Sequence, residues 1–121
     1  MIKPASLILL FTFIISPVLA GDYKDPDNMT TEEYAQARVY GVKHEECMTE
    51  YSLEQIQQQA DARVVADHAM KHCVLVLEEL HNLIVSWGYP PEFGSYYVSG
   101  ISNRNANRIL RNIMRFMAMP R

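Results

Sequence analysis

The chain has two cysteines, Cys47 and Cys73, in 121 residues. What a single pair does depends on the compartment, and the opening stretch "MIKPASLILLFTFIISPVLA" bears on that directly. A lone Lys3 precedes an apolar run from Ala5 to Ile15. Ser16-Pro17 follows, and Val18 and Ala20 are small residues at the positions a signal peptidase reads. This is the pattern of a secretory leader. A membrane anchor is the competing reading, but the unbroken apolar stretch is shorter than the roughly 20 residues a spanning helix needs. The expectation is a signal peptide over residues 1–20 and one secreted, extracellular domain over residues 21–121. No later segment is long and apolar enough to span a bilayer, so stable membrane insertion is not expected.

Secretion changes what two cysteines mean. An oxidising compartment favours a disulfide, and an even count leaves no thiol over. Cys47 and Cys73 are therefore expected to pair. Closing a loop of that size removes denatured-state entropy worth about 3–4 kcal/mol in the loop-closure account. A chain of this length can bury a modest core without further staples, so the position of the bond is more informative than its existence.

Charge is segregated along the chain. Residues 21–92 hold all fourteen acidic residues, accompanied by Lys24, Arg38, Lys43, Arg63 and Lys71. From Phe93 onward there are Arg104, Arg108, Arg111, Arg115 and Arg121 and no acid. An acidic body with a basic tail implies attraction between the two halves or a tail that meets an anionic partner. No nucleic-acid partner is expected.

The pattern is helical throughout. After the polar arm "GDYKDPDN", Thr30 followed by Glu33 fits a capping box. Tyr34, Ala37, Gly41 and Met48 fall roughly on one face of the helix that follows. Asn28-Met29-Thr30 is also a glycosylation acceptor, used or unused. Ser52 with Gln55 repeats the capping pattern and predicts a separate two-turn helix carrying Leu53, Ile56 and Ala60. From Ala62 to Ile84 the spacing predicts one long helix, with Val65, Ala69, Met70, Cys73, Val76, Leu77, Leu80 and Ile84 as its core stripe. "WGYPPEFGSYYVSG" breaks the period with prolines and glycines and reads as an aromatic loop folded back on apolar surface. Its rings either plug the core or line a cavity. The last helix is expected to begin at Ser102 or Asn103. It places Ala106, Ile109, Ile113, Phe116 and Met117 opposite a stripe of Arg104, Arg108, Arg111 and Arg115. The fold class is all-α, a compact bundle of four to six helices with one disulfide around an apolar core or cavity.

Little in this inventory suits catalysis. His68 and His72 stand four apart, but two ligands do not make a zinc centre. No metal and no cofactor is expected. His44, His68, His72 and His81 could sense pH instead. Glu45-Glu46 and Glu78-Glu79 are adjacent on helices, so within each pair the carboxylates diverge rather than flank a substrate. No G-x-S-x-G, phosphate loop or free thiol is present. An enzyme is not expected.

Leader, helical pattern and the stretches "HEECMTEYSLEQI" and "MKHCVLVLEELHNLI" together resemble the insect odorant-binding and pheromone-binding protein family, over roughly Thr30 to Ile84. In that family a first helix ends near a cysteine, a short Ser-initiated helix follows, and a third helix carries two cysteines four apart before an apolar run. Here Ala69 occupies the place of the first of those two, and Cys73 that of the second. The resemblance implies that Cys47 and Cys73 are the family's first-to-third pair, with its two other disulfides absent together. It also implies a cavity that carries a small hydrophobic molecule, of odorant or pheromone type, through aqueous fluid. The residues carried into that expectation as lining are Met70, Val74, Leu77, Leu80, Ile84, Trp87, Phe93, Tyr96, Ile109, Ile113, Phe116 and Met117. The alternative is a secreted membrane-active or host-directed factor acting through its basic C-terminal amphipathic helix. A third possibility is an interaction module whose apolar residues fill the core completely.

Overall fold

A computed structural model describes residues 22–119. The leader expected over residues 1–20 lies outside the described residues, as does Arg121. A short 3-10 turn, Pro26–Asn28, leads into four α-helices: α1 Thr31–Gln55, α2 Ala62–His72, α3 Val74–Ser86 and α4 Pro91–Ala118. The fold is all-helical, with one disulfide joining Cys47 on α1 to Cys73 between α2 and α3.

The start of α1 follows the sequence. Thr30 Oγ1 accepts from the Glu33 amide, and Glu33 Oε1 accepts from the Thr30 amide, so two of the orphan donors at the helix N-terminus are satisfied reciprocally. Ser52 is a correction. It is not a cap but an interior residue, buried on a helix that continues to Gln55. No proline or glycine stands between Met48 and Gln55, so nothing interrupts the ladder there. The helix gives way to a turn, and Asp61 Oδ1 then caps α2 by accepting from the Arg63 amide.

The single helix expected from Ala62 to Ile84 is two. Cys73 leaves helical geometry at φ −99° and ψ 9°, closing α2 and opening α3. The break spans one residue, so the stripe of Val65, Ala69, Cys73, Leu77, Leu80 and Ile84 is buried along its whole length.

The aromatic segment is the third correction. Gly88, at φ +102°, is the one residue in left-handed geometry among the described residues, and it ends α3 where a side chain would be strained. Pro90 is extended, and Pro91 takes the first position of α4, where its missing N–H costs nothing. Everything from Pro91 to Ala118 is then one helix, through the expected start at Ser102. Gly94 is explained by packing: a Cβ there would lie 2.9 Å from the His81 ring, so its absence allows α3 and α4 to approach.

Two buried clusters fill the interior. Met48, Ile56, Val65, Ala66, Ala69, Cys73, Ile109 and Ile113 surround the disulfide. Met29, Ala37, Leu77, Leu80, Ile84, Tyr89 and Ile101 form the other end, with Trp87, Phe93 and Tyr97 against them. Tyr89 is buried, and its hydroxyl donates to Glu33 Oε1 at 2.7 Å. Burial, and next that hydrogen bond to a carboxylate, push the Tyr89 phenol up to about 12. Glu33 is held below the usual carboxylate range, first by the Thr30 amide and then by Tyr89.

Candidate functional site: the groove between α1 and α4

Two long helices lie side by side and run in the same direction. Gly41 and His44 meet Asn105, and Glu45 meets Arg108 further on. Still further along, Ser52 and Ile56 share a cleft with Ile109, Ile113 and Phe116. The α1 residues on this seam recur at helical spacing, from Tyr34 and Arg38 through Gly41, Glu45 and Thr49 to Leu53 and Ile56, so the seam is one groove. Near its middle Arg108 Nη1 donates to both oxygens of Glu45 at 2.8 Å and divides the groove into two clefts.

The cleft beyond that bridge is apolar. It is half-open, of about 150 Å³, with Leu53, Ile56, Ile109, Ile113 and Phe116 as its apolar lining and Thr49, Ser52 and Asn112 as its polar positions. That volume is close to what a benzene-sized guest occupies in an apolar protein cavity. Ser52 is 3% exposed, and its hydroxyl bonds to no other group. Helical serines commonly satisfy their hydroxyl on a carbonyl four residues back; this one does not.

The cleft before the bridge is different in kind. It measures about 340 Å³ and is lined by Tyr34, Arg38, Tyr97 and Arg104 above Ala37, Gly41 and Ile101. Beside it, Asn105 Nδ2 donates to the Gly41 carbonyl at 3.2 Å and to His44 Nδ1 at 2.9 Å. An amide NH₂ can only donate, so His44 accepts at Nδ1 and carries its proton on Nε2. That Nε2 is buried without a partner, and burial lowers the His44 pKa below its ordinary 6.5.

A third, larger cleft of about 500 Å³ lies between α3 and α4, lined by Val74, Leu77, Glu78, His81 and Ser95 among others. His81 Nε2 stands 3.2 Å from the Pro91 carbonyl and 3.3 Å from Ser95 Oγ. A carbonyl only accepts, so Nε2 carries the proton and cannot act as a base toward Ser95. Of the remaining histidines, His72 stacks on Tyr51 with ring centroids 4.3 Å apart, and His68 is exposed. Among the described residues no group of three His, Cys, Asp or Glu side chains could hold a metal ion. Asn28 of the sequon is exposed at the end of the 3-10 turn.

The structure scatters the expected lining residues. Leu77, Leu80 and Ile84 belong to the aromatic-end core, against which Trp87 and Phe93 pack. Met70 packs against the disulfide-end core. Val74, Tyr96, Phe116 and Met117 are exposed, Tyr96 at 79%. Only Ile109, Ile113 and Phe116 of the set line the apolar cleft. Ser52, Leu53 and Ile56 were missed as lining. The signal for Ser52 and Ile56 was the i, i+4 run His44, Met48, Ser52, Ile56, buried at every position, into which the capping reading of Ser52 put a false break.

Comparison with protein-family models, with curated proteins and with solved structures finds no match. Among the described residues no helix is long and apolar enough to cross a membrane. Of the expected amphipathic face of α4, Ile109 and Ile113 are in the core and Phe116 and Met117 are exposed, and Arg108 of the basic stripe is held by Glu45.

Proposed function

We propose that the protein is a secreted carrier of small hydrophobic molecules bearing one hydrogen-bonding group, held in the apolar cleft between α1 and α4. The observation that carries this reading is Ser52, a residue of the cleft lining whose hydroxyl is buried without a partner, in a cleft whose other polar positions are Thr49 and Asn112. Burying a hydroxyl without a partner costs free energy. A ligand that supplies the partner recovers that cost, while its apolar body is drawn from water by Leu53, Ile56, Ile109, Ile113 and Phe116. The volume favours a compact ligand, or a longer one whose tail extends out of the half-open mouth. The disulfide suits the oxidising compartment that a leader implies, and the odorant-binding-type resemblance of "HEECMTEYSLEQI" and "MKHCVLVLEELHNLI" points to the same class of cargo.

The test is titration of the oxidised protein with the neutral probe N-phenyl-1-naphthylamine, followed by displacement with short alcohols and esters. Saturable, displaceable binding is expected, and Leu53→Trp, at an exposed position on the cleft, should abolish it. Probe affinity unchanged in a folded Leu53→Trp protein, or no binding at all, would sink the proposal.

A further inference from the structure

Three of the nine Lys and Arg side chains among the described residues enter ion pairs, and two of the six that do not lie on the groove. Lys24 pairs with Glu33, Lys71 with Asp67 and Arg108 with Glu45. Arg38 on α1 and Arg104 on α4 enter no ion pair among the described residues, yet both line the same 340 Å³ cleft. The one carboxylate bordering that cleft, Glu45, is already occupied by the guanidinium of Arg108 through both oxygens. Two like charges brought to one concavity repel unless something of opposite sign lies between them.

The rest of the lining suits an amphiphile. Ala37, Gly41 and Ile101 give an apolar floor. At Gly41 an added Cβ would come no nearer than 3.9 Å to Ile101, so the missing side chain leaves room above the floor. The rings of Tyr34 and Tyr97 bring apolar faces and phenol donors to the same cleft. Both guanidiniums also act on the Tyr97 phenol, opposing the rise that burial and Tyr34 cause, which places the four side chains within one electrostatic neighbourhood.

We propose that Arg38, Arg104, Tyr34 and Tyr97 form a binding site for a small amphiphilic oxyanion, whose carboxylate or phosphate meets the two guanidiniums and whose apolar body rests on Ala37, Gly41 and Ile101. Guanidinium pairs match the planar, two-oxygen geometry of such groups. The site lies on the other side of the Glu45–Arg108 bridge from the apolar cleft, and it stands or falls independently of the carrier reading.

The experiment compares two fluorescent probes that differ chiefly by one charge, 1-anilinonaphthalene-8-sulfonate and neutral N-phenyl-1-naphthylamine, on the oxidised protein. The sulfonate probe is expected to bind and to be displaced by octanoate or octyl phosphate but not by 1-octanol. Displacement by octanoate alone names a carboxylate, and by octyl phosphate alone a phosphate; either supports the site. The double substitution Arg38→Gln with Arg104→Gln should weaken the sulfonate probe by at least about tenfold while leaving the neutral probe unchanged. Both positions are exposed, and an unchanged melting curve confirms that the variant is folded. Leu53→Trp should do the reverse, sparing the sulfonate probe. Sulfonate affinity unaffected by the arginine substitutions, or displacement by 1-octanol as effective as by octanoate, overturns the proposal.

Discussion

The two ends of the bundle are held together by different means. At one end a covalent bond ties α1 to the α2–α3 junction, the neighbouring core residues include Val65, Ala66 and Ala69, and a cleft with an unbonded hydroxyl opens beside them. At the other, no covalent link exists among the described residues. Closure there comes from Tyr89, Phe93 and Tyr97 in successive ring contacts, from the Tyr89 hydroxyl on Glu33, and from Lys24 over the Tyr89 ring. The lesson is that a covalent bond and a ladder of rings are alternative ways to hold helix ends together, and that clefts open beside both: the apolar one near the disulfide, and the two larger ones beside Ala37, Leu77, Tyr97 and Ile101.

Breaking the staple should give the largest effect. Replacing both cysteines by alanine is expected to cost about 3–4 kcal/mol in urea unfolding, and to weaken the neutral probe in the apolar cleft more than the sulfonate probe near Tyr97. A loss below about 1 kcal/mol would mean that the disulfide end is held by packing after all.

The same methylene removed at each end sharpens the contrast. Ile84 is fully buried in the aromatic end, whereas Ile113, at 4% exposure, borders the cleft. Ile84→Val should cost about 1 kcal/mol, and Ile113→Val about half of that, because part of the Ile113 surface already faces a space that solvent or ligand can enter. Equal costs measured by thermal unfolding would show the cleft to be closed in solution.

Much of this fold was legible because its signals are local or periodic. Thr30 and Glu33 are three apart and close their box within one turn. The stripe from Val65 to Ile84 obeys one period, and two cysteines admit only one pairing. What stayed hidden depends on distant partners. Ser52 carries the same S-x-x-Q signature as a cap, and only the uninterrupted backbone around it makes it an interior residue. Gly94 and Gly100 read as loop residues, whereas Gly94 serves a close approach to His81 in another helix. The departure of Cys73 from helical geometry leaves no trace in the stripe, because the buried faces on either side stay in phase. The groove was invisible for the strongest reason: it exists only because α1 and α4 run in the same direction, and sequence gave no pairing between Gly41 and Asn105 across 64 residues.

Between the two ends sits His44, and its effect is graded with pH. Its folded pKa lies below 6.5 because burial disfavours the imidazolium. In the unfolded chain it titrates near its ordinary value, so below that point the unfolded state binds more protons. Stability is therefore present in full above about pH 7 and falls as pH drops toward the folded pKa. Glu33, whose pKa is held below 4.5, adds its own loss only in more acid solution. His44→Gln, which retains an acceptor for Asn105, should flatten the stability profile in the window that opens below about pH 7. An unchanged slope across that window in urea titrations would assign the acid sensitivity to other groups.

The smallest expected change in stability comes from Ser52→Ala, and it separates function from folding most cleanly. The hydroxyl is buried and bonds to nothing, so deleting it removes a desolvated group without breaking an interaction. Alanine is also the better helix former by about half a kcal/mol. The variant should unfold at the same urea concentration as the parent or slightly above it, which is unusual for a substitution at a buried polar position. If the cleft carries ligands through this oxygen, short alcohols should at the same time displace the neutral probe several-fold less well, while an alkane of equal size is unaffected. Stability lost by more than about 1 kcal/mol would show that the hydroxyl has a partner in the folded protein. Unaltered alcohol affinity would show that the cleft recognises shape alone, and the contrast between it and the arginine-lined cleft across the Glu45–Arg108 bridge would then rest on charge and volume rather than on this hydroxyl.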